Sequence, residues 1–138
     1  MTAERDIFVD TSAFVAIRVT DDINHKKAQR FLNVIKEQKM RLYTTNFILD
    51  EVYTYFCKTH KVATEMAELI MNNPLIVLYR INVEDENKAW DILKNYKDKD
   101  FSYTDATCLA IMERIEIKTI FAFDEHYKQY GKFIVVPS

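Results

Sequence analysis

Glycine is almost absent from this chain: Gly131 is the only one in 138 residues. A P-loop or a dinucleotide fingerprint needs several glycines so that backbone can approach phosphate, so neither is present. Cysteine is scarce too. Cys57 and Cys108 stand far apart and show no metal-ligand pattern, so they read as free thiols of a reducing compartment and as small core residues. There is no excess of base: 19 Lys and Arg oppose 21 Asp and Glu, a net charge of −2, with a pI of about 5.9. A nucleic-acid partner is ordinarily inferred from a basic pI; here a polyanion would have to meet a local basic patch. No apolar run approaches membrane length, and Met1 to Asp6 is polar and charged, unlike a signal peptide. The chain is expected to be soluble and cytoplasmic, without membrane contact.

What is abundant is apolar surface. A hydrophobic fraction of 49% and an aromatic fraction of 13% exclude a disordered protein. The length suits one domain with a real core, and no linker, repeat or low-complexity tract divides residues 1–138. The organising stretch is Ile7-Phe8-Val9-Asp10-Thr11-Ser12. Its apolar run suggests a buried strand of a parallel sheet. Asp10 then lies at the carboxyl end of that strand, where ligands bind in open α/β sheets.

Helical and strand patterns alternate along the rest. Thr11 to Val19 is apolar enough for a short helix. His25 to Lys39 has Ala28, Phe31, Leu32 and Ile35 on one face and Lys26, Lys27, Arg30, Lys36 and Lys39 on the other. That basic face is either simply solvated or a phosphate-contact surface. Leu42 to Thr45 reads as a strand, and Asn46 as the N-cap of the helix that follows. In that helix Ile48, Val52 and Tyr55 form an inward stripe. Glu51 falls at the edge of the stripe, and Asp50 points to the opposite side. Val62 to Met71 is a helix, Leu75 to Tyr79 a strand, and Val83 to Tyr96 a helix with Ala89, Ile92 and Leu93 inward and Trp90 adjoining. Ser102 to Glu116 is a helix apolar nearly all round and hence buried. Lys118 to Phe123 and Phe133 to Val136 are the last two strands. Strands alternating with helices imply a parallel sheet covered on both faces, a three-layer α/β/α sandwich.

Four acids stand out: Asp10, Glu51, Asp105 and Asp124. Each has a structural alternative. Asp10 suits an N-cap, Asp105 three residues after Ser102 suits a capping box, Asp124 suits a turn, and Glu51 suits an ion pair. Together they fall near one inferred edge of the sheet. Four converging carboxylates without a counter-ion repel and raise each other's pKa. Mg²⁺ or Mn²⁺ resolves this, because hard cations take oxygen ligands, and such ions activate water against a phosphodiester. His25, His60 and His126 show no metal-ligand spacing, and His126 reads as an exposed loop residue.

Val9-Asp10-Thr11-Ser12-Ala13-Phe14, Thr45-Asn46-Phe47 through Glu51, Ser102-Tyr103-Thr104-Asp105-Ala106 and Phe121-Ala122-Phe123-Asp124-Glu125-His126-Tyr127 together resemble a PIN domain, most closely the VapC-type toxins of prokaryotic toxin–antitoxin pairs. The resemblance covers nearly the whole chain. It implies a Mg²⁺- or Mn²⁺-dependent endoribonuclease, usually dimeric and held inactive by a cognate antitoxin. The family's acidic site maps onto Asp10, Glu51, Asp105 and Asp124, with Glu125 or His126 where members often carry a further acid. Thr11, Ser12 and Thr104 become contacts to these ligands or to substrate.

The reading is therefore a ribonuclease with Asp10 and Asp105 as main metal ligands, Glu51 and Asp124 completing the charge, and Lys26, Lys27 and Arg30 as RNA contacts. Metal-activated water would leave a 5′-phosphate and a 3′-hydroxyl. A receiver-like phosphoacceptor switch also gathers acids at strand ends. It calls for adjacent acids after the first strand and a lysine after a late one, whereas Thr11-Ser12 and Asp124-Glu125 stand there. A non-catalytic PIN-like RNA-binding protein is the third reading, opposed by four intact acids.

Overall fold

A computed structural model describes residues 5–138. The polar segment read above as unlike a signal peptide lies largely outside the described residues, since 1–4 are not among them. Among the described residues five parallel strands form one sheet in the order β3-β2-β1-β4-β5, clothed by seven helices. The expected parallel sheet sandwiched between helices is observed.

β1 (Asp6–Val9) is the central strand. Ile7, Phe8 and Val9 are buried because both sheet faces and both strand edges are covered. β2 (Arg41–Thr45) pairs with β1 through Ile7 opposite Leu42. β4 (Thr119–Phe121) flanks its other side through Phe8 opposite Ile120. β3 (Ile76–Tyr79) and β5 (Ile134–Val136) are the edges. β3 is only half-buried in spite of its apolar run, and Leu75 before it is 63% exposed, because an edge strand has a neighbour on one side alone.

The chain leaves β1 through α1 (Thr11–Arg18) and α2 (His25–Gln38) to reach β2. α3 (Asn46–Phe56) and α4 (His60–Asn72) lead on to β3. α5 (Val83–Asn95) and α6 (Tyr103–Ile115) then carry it across to β4. Strand order thus reverses between β1 and β4, and the crevice at their carboxyl ends is where such sheets bind ligands. α6 is buried from Asp105 to Met112, as its near-continuous apolar sequence requires.

Three local readings need correction. The N-cap of α3 is Thr45, whose Oγ1 accepts from the Ile48 amide at 3.2 Å. Asn46 is the first helical residue instead, and its Oδ1 accepts from the Ile81 amide at 2.8 Å, tying α3 to the loop after β3. Tyr55 is not inward: it is 59% exposed, as Trp90 is at 55%. The third is a helix that periodicity does not reveal, α7 (His126–Tyr130), which buries Tyr127 and Tyr130 and ends at Gly131 with φ +79°. Five residues are too few to display a 3.6-residue period. The lone glycine sits at a left-handed helix cap, a conformation it adopts without steric cost. No helix among the described residues is long and apolar enough to cross a membrane.

Candidate active site

Asp10 follows β1 directly and caps α1. Its Oδ2 accepts from the Ser12 amide at 3.1 Å and the Ser12 hydroxyl at 2.7 Å. Its Oδ1 accepts from the Tyr127 hydroxyl at 2.8 Å. Ser12 Oγ in turn accepts from the Phe123 amide at 3.0 Å, so one hydroxyl fastens the end of β1 to the loop after β4. Asp10 is 4% exposed. Burial pushes its carboxyl above the ordinary 3.8, while the bonds from Ser12 and Tyr127 oppose that rise.

Glu51 projects from the second turn of α3, and its Oε1 accepts from the Thr11 hydroxyl at 2.6 Å. Burial raises it above the ordinary 4.5, and the charges of Asp10, Asp105 and Asp124 add to the rise. Asp105 stands three residues past Ser102 in a full capping box: its Oδ2 accepts from the Ser102 amide at 3.0 Å, and Ser102 Oγ accepts from the Asp105 amide at 2.9 Å. Asp10 and Asp105 are therefore both helix caps and both part of one cleft wall. Helix starts are what bring these carboxylates to the sheet edge.

His126 is not an exposed loop residue. It opens α7 with its side chain 27% exposed. Its Nδ1 lies 2.6 Å from Asp105 Oδ2 and 3.1 Å from Asp124 Oδ1, and its amide donates to Asp124 Oδ1 at 2.9 Å. Ligand-type atoms of Asp105, Asp124 and His126 all fall within 4.8 Å of one another. Glu125, the other residue considered for this position, is exposed and faces Lys128.

Asp10, Thr11, Ser12, Glu51, Asp105, Asp124 and His126 line one open cleft of about 720 Å³. Asp22 and Asp50 line it as well, so Asp50 shares the cleft that its helix position seemed to deny it. No Lys or Arg is among the lining residues. Thr104 is not brought to the cleft; its carbonyl accepts from Thr107, and Ser102 lines the wall in its place. Lys26, Lys27 and Arg30 lie exposed on α2 outside it. Lys27 and Arg30 border a separate hollow of about 240 Å³ beside Pro137 and Ser138.

His126, read from the sequence as an exposed loop residue, and Tyr127, given no role there, thus hold three of the four acids. Beyond their place in the Phe121–Tyr127 motif, the Tyr127–Tyr130 spacing of one inward helical turn is the local signal for this helix. Burial and the nearby Asp10 charge push the Tyr127 hydroxyl well above its ordinary range, so it remains a proton donor to Asp10. Oxygen-rich donors without a fixed cation suit a hard divalent ion.

The PIN domain model matches residues 7–133. The chain belongs to the PIN domain family. This PIN domain is similar to the 23S rRNA-specific endonuclease VapC20 of Mycobacterium tuberculosis, 27% identical over 133 residues that cover 95% of this chain and 98% of the relative. It is also similar to a VapC ribonuclease of Archaeoglobus fulgidus, 28% identical across 86% of this chain and 77% of the relative. The crystal structure of VapC20, described as a Sarcin-Ricin loop cleaving toxin, superposes with a TM-score of 0.85 over 95% of this chain and 99% of that one. FitAcB from Neisseria gonorrhoeae shares the fold, with a TM-score of 0.69 at 12% identity over 95% of this PIN domain and 96% of that chain. The receiver-like alternative falls with the family match, and the cleft has no lysine to serve it.

Proposed function

We propose that this protein is a metal-dependent endoribonuclease and the toxin of a toxin–antitoxin pair, acting as one domain over residues 1–138. The observation that carries the reading is the cleft at the β1–β4 switch point, which Asp10, Glu51, Asp105 and Asp124 all line and no Lys or Arg does. Asp10 and Asp105 would be the main ligands of Mg²⁺ or Mn²⁺, with Glu51 and Asp124 completing the charge. Bound there, such an ion supplies Lewis acidity that activates water and offsets charge on a phosphodiester. The protein's own part is to hold the donors in place. Ser12 and Tyr127 orient Asp10, Thr11 orients Glu51, and His126 spans Asp105 and Asp124. In-line attack by water would leave a 5′-phosphate and a 3′-hydroxyl.

The VapC relatives support RNA as substrate, and 23S ribosomal RNA is the first to try. The same reading makes a cognate antitoxin and a second copy of the chain its partners, and the cytoplasm its compartment. Purified protein should cleave ribosomal RNA in Mg²⁺ or Mn²⁺ and lose that activity in excess chelator, followed on a denaturing gel. Cleavage that persists in chelator would end the metal mechanism.

The basic face of α2 supplies a phosphate contact that the cleft lacks. Changing Lys26, Lys27 and Arg30 together to Gln should flatten the slope of log affinity against log salt by roughly 2, if three phosphates on a single strand are released. An unaltered slope would leave that face merely solvated.

A further inference from the structure

Tyr55 is a large aromatic side chain that the core does not use. It lies four residues, about one helical turn, beyond Glu51 on α3. It is 59% exposed and lines the same cleft as the carboxylates. Its ring is braced edge-on against Phe56, with centroids 4.9 Å apart at 75°. A second ring, Phe123, lines the cleft from the loop after β4. A single exposed aromatic is ordinary; the setting of this one is not. Carboxylates line the cleft and no Lys or Arg does, so the wall around Tyr55 has no attraction for phosphate. A strand of RNA crossing it can gain there through its bases, which offer a π-face whatever the sequence.

We propose that Tyr55 is a stacking platform for an unpaired nucleobase beside the scissile phosphate. The inference rests on the ribonuclease reading above. A base held in a duplex is already stacked and cannot lie on the ring, so paired RNA gains nothing from Tyr55.

The test compares the wild type with Tyr55→Phe, Tyr55→Trp and Tyr55→Leu. Binding is measured in Ca²⁺ to a short single-stranded oligoribonucleotide carrying 2-aminopurine, whose fluorescence is quenched by stacking, and to the same strand annealed to its complement. The Phe and Trp variants should bind the single strand within about twofold of wild type and quench it. Tyr55→Leu should bind about 5- to 100-fold more weakly, the range expected for losing one base–aromatic stack, without quenching. Duplex binding should be the same for all four proteins. In cleavage with Mn²⁺ the Leu variant should show its loss in KM, with kcat within about twofold. Melting temperatures should agree, because the side chain is exposed.

Tyr55→Leu matching wild type on the single strand would overturn the proposal and leave the nuclease reading standing. Tyr55→Phe falling as far as Leu would overturn it too, since the hydroxyl rather than the ring face would then matter. Binding that depends on Tyr55 without cleavage by any of the proteins would uphold stacking and end the nuclease reading. Wild-type protein that binds no RNA would overturn both.

Discussion

Replacing Asp105 with Asn is expected to lower RNA cleavage in saturating Mn²⁺ by about 10²–10³-fold, the scale of losing one preorganised electrostatic contact. The substitution keeps shape and cap. An Asn carbonyl can still accept from the Ser102 amide, and the Asp105 amide still donates to Ser102 Oγ. What goes is the charge that faces His126 and Asp124 at the mouth of the cleft. Metal-free melting temperature should therefore stay within about 2 °C of wild type, since a surviving cap bond protects the order of 1 kcal/mol. Single-turnover cleavage of end-labelled RNA and a melting curve in chelator check both halves. Activity within tenfold of wild type would reduce Asp105 to a helix cap.

Asp10→Asn is expected to separate stability from function. Asn caps helices as well as Asp, so the bonds from Ser12 can persist, and the Tyr127 hydroxyl can accept from the new amide. The buried charge disappears. Burial raises the folded-state pKa of Asp10 and Glu51 above 3.8 and 4.5. The folded protein then holds more protons than the unfolded chain between those values and the folded ones. Stability conferred by the protonated groups is complete below the ordinary values and is lost as pH rises through the folded ones. Metal-free wild type should thus lose melting temperature as pH climbs above about 4, and Asp10→Asn should lose less. At neutral pH the variant should be more stable without metal by on the order of 1 kcal/mol, about 3–4 °C for a domain of this size. Wild type should gain from Mn²⁺ by mass action, about 2.7 kcal/mol at a hundredfold excess over Kd, whereas the variant should gain little and cleave no RNA. Differential scanning fluorimetry across pH, with chelator and with Mn²⁺, reads all of this. A variant that melts lower throughout while keeping the Mn²⁺ response would make Asp10 a cap alone.

Much of this site lies in hydrogen bonds that no spacing rule reports. The Ser12–Phe123 bond spans 111 residues and the Asp10–Tyr127 bond spans 117. α7 is a single short turn whose His126 and Tyr127 look like loop residues until β4 and α6 are in place around them. Tyr55 fits the apolar stripe of Ile48 and Val52 on a helical wheel, yet it falls beyond the reach of the core and faces the cleft. Thr45 displaced Asn46 as the cap of α3 because both residues can cap, and a distant amide, that of Ile81, took the Asn46 side chain.

By itself the sequence determined the elements other than α7. Ile7-Phe8-Val9 could only be a buried strand, the apolar stretch of α6 could only lie in the core, and one glycine excluded the phosphate loops. It also determined that Asp10 and Asp124 sit just past strand ends, Asp105 at a helix start and Glu51 early in the helix after β2, because helix starts favour Asp and Ser for local hydrogen-bonding reasons. The order of the strands was left to tertiary structure. Periodicity is a property of neighbours in the chain and carries no term for which strand pairs with which. Only the placing of β4 beside β1 brings Asp124 and α7 against Asp10, and only the packing of α3 and α6 over that edge turns separate caps and turns into one cleft of mutually repelling carboxylates.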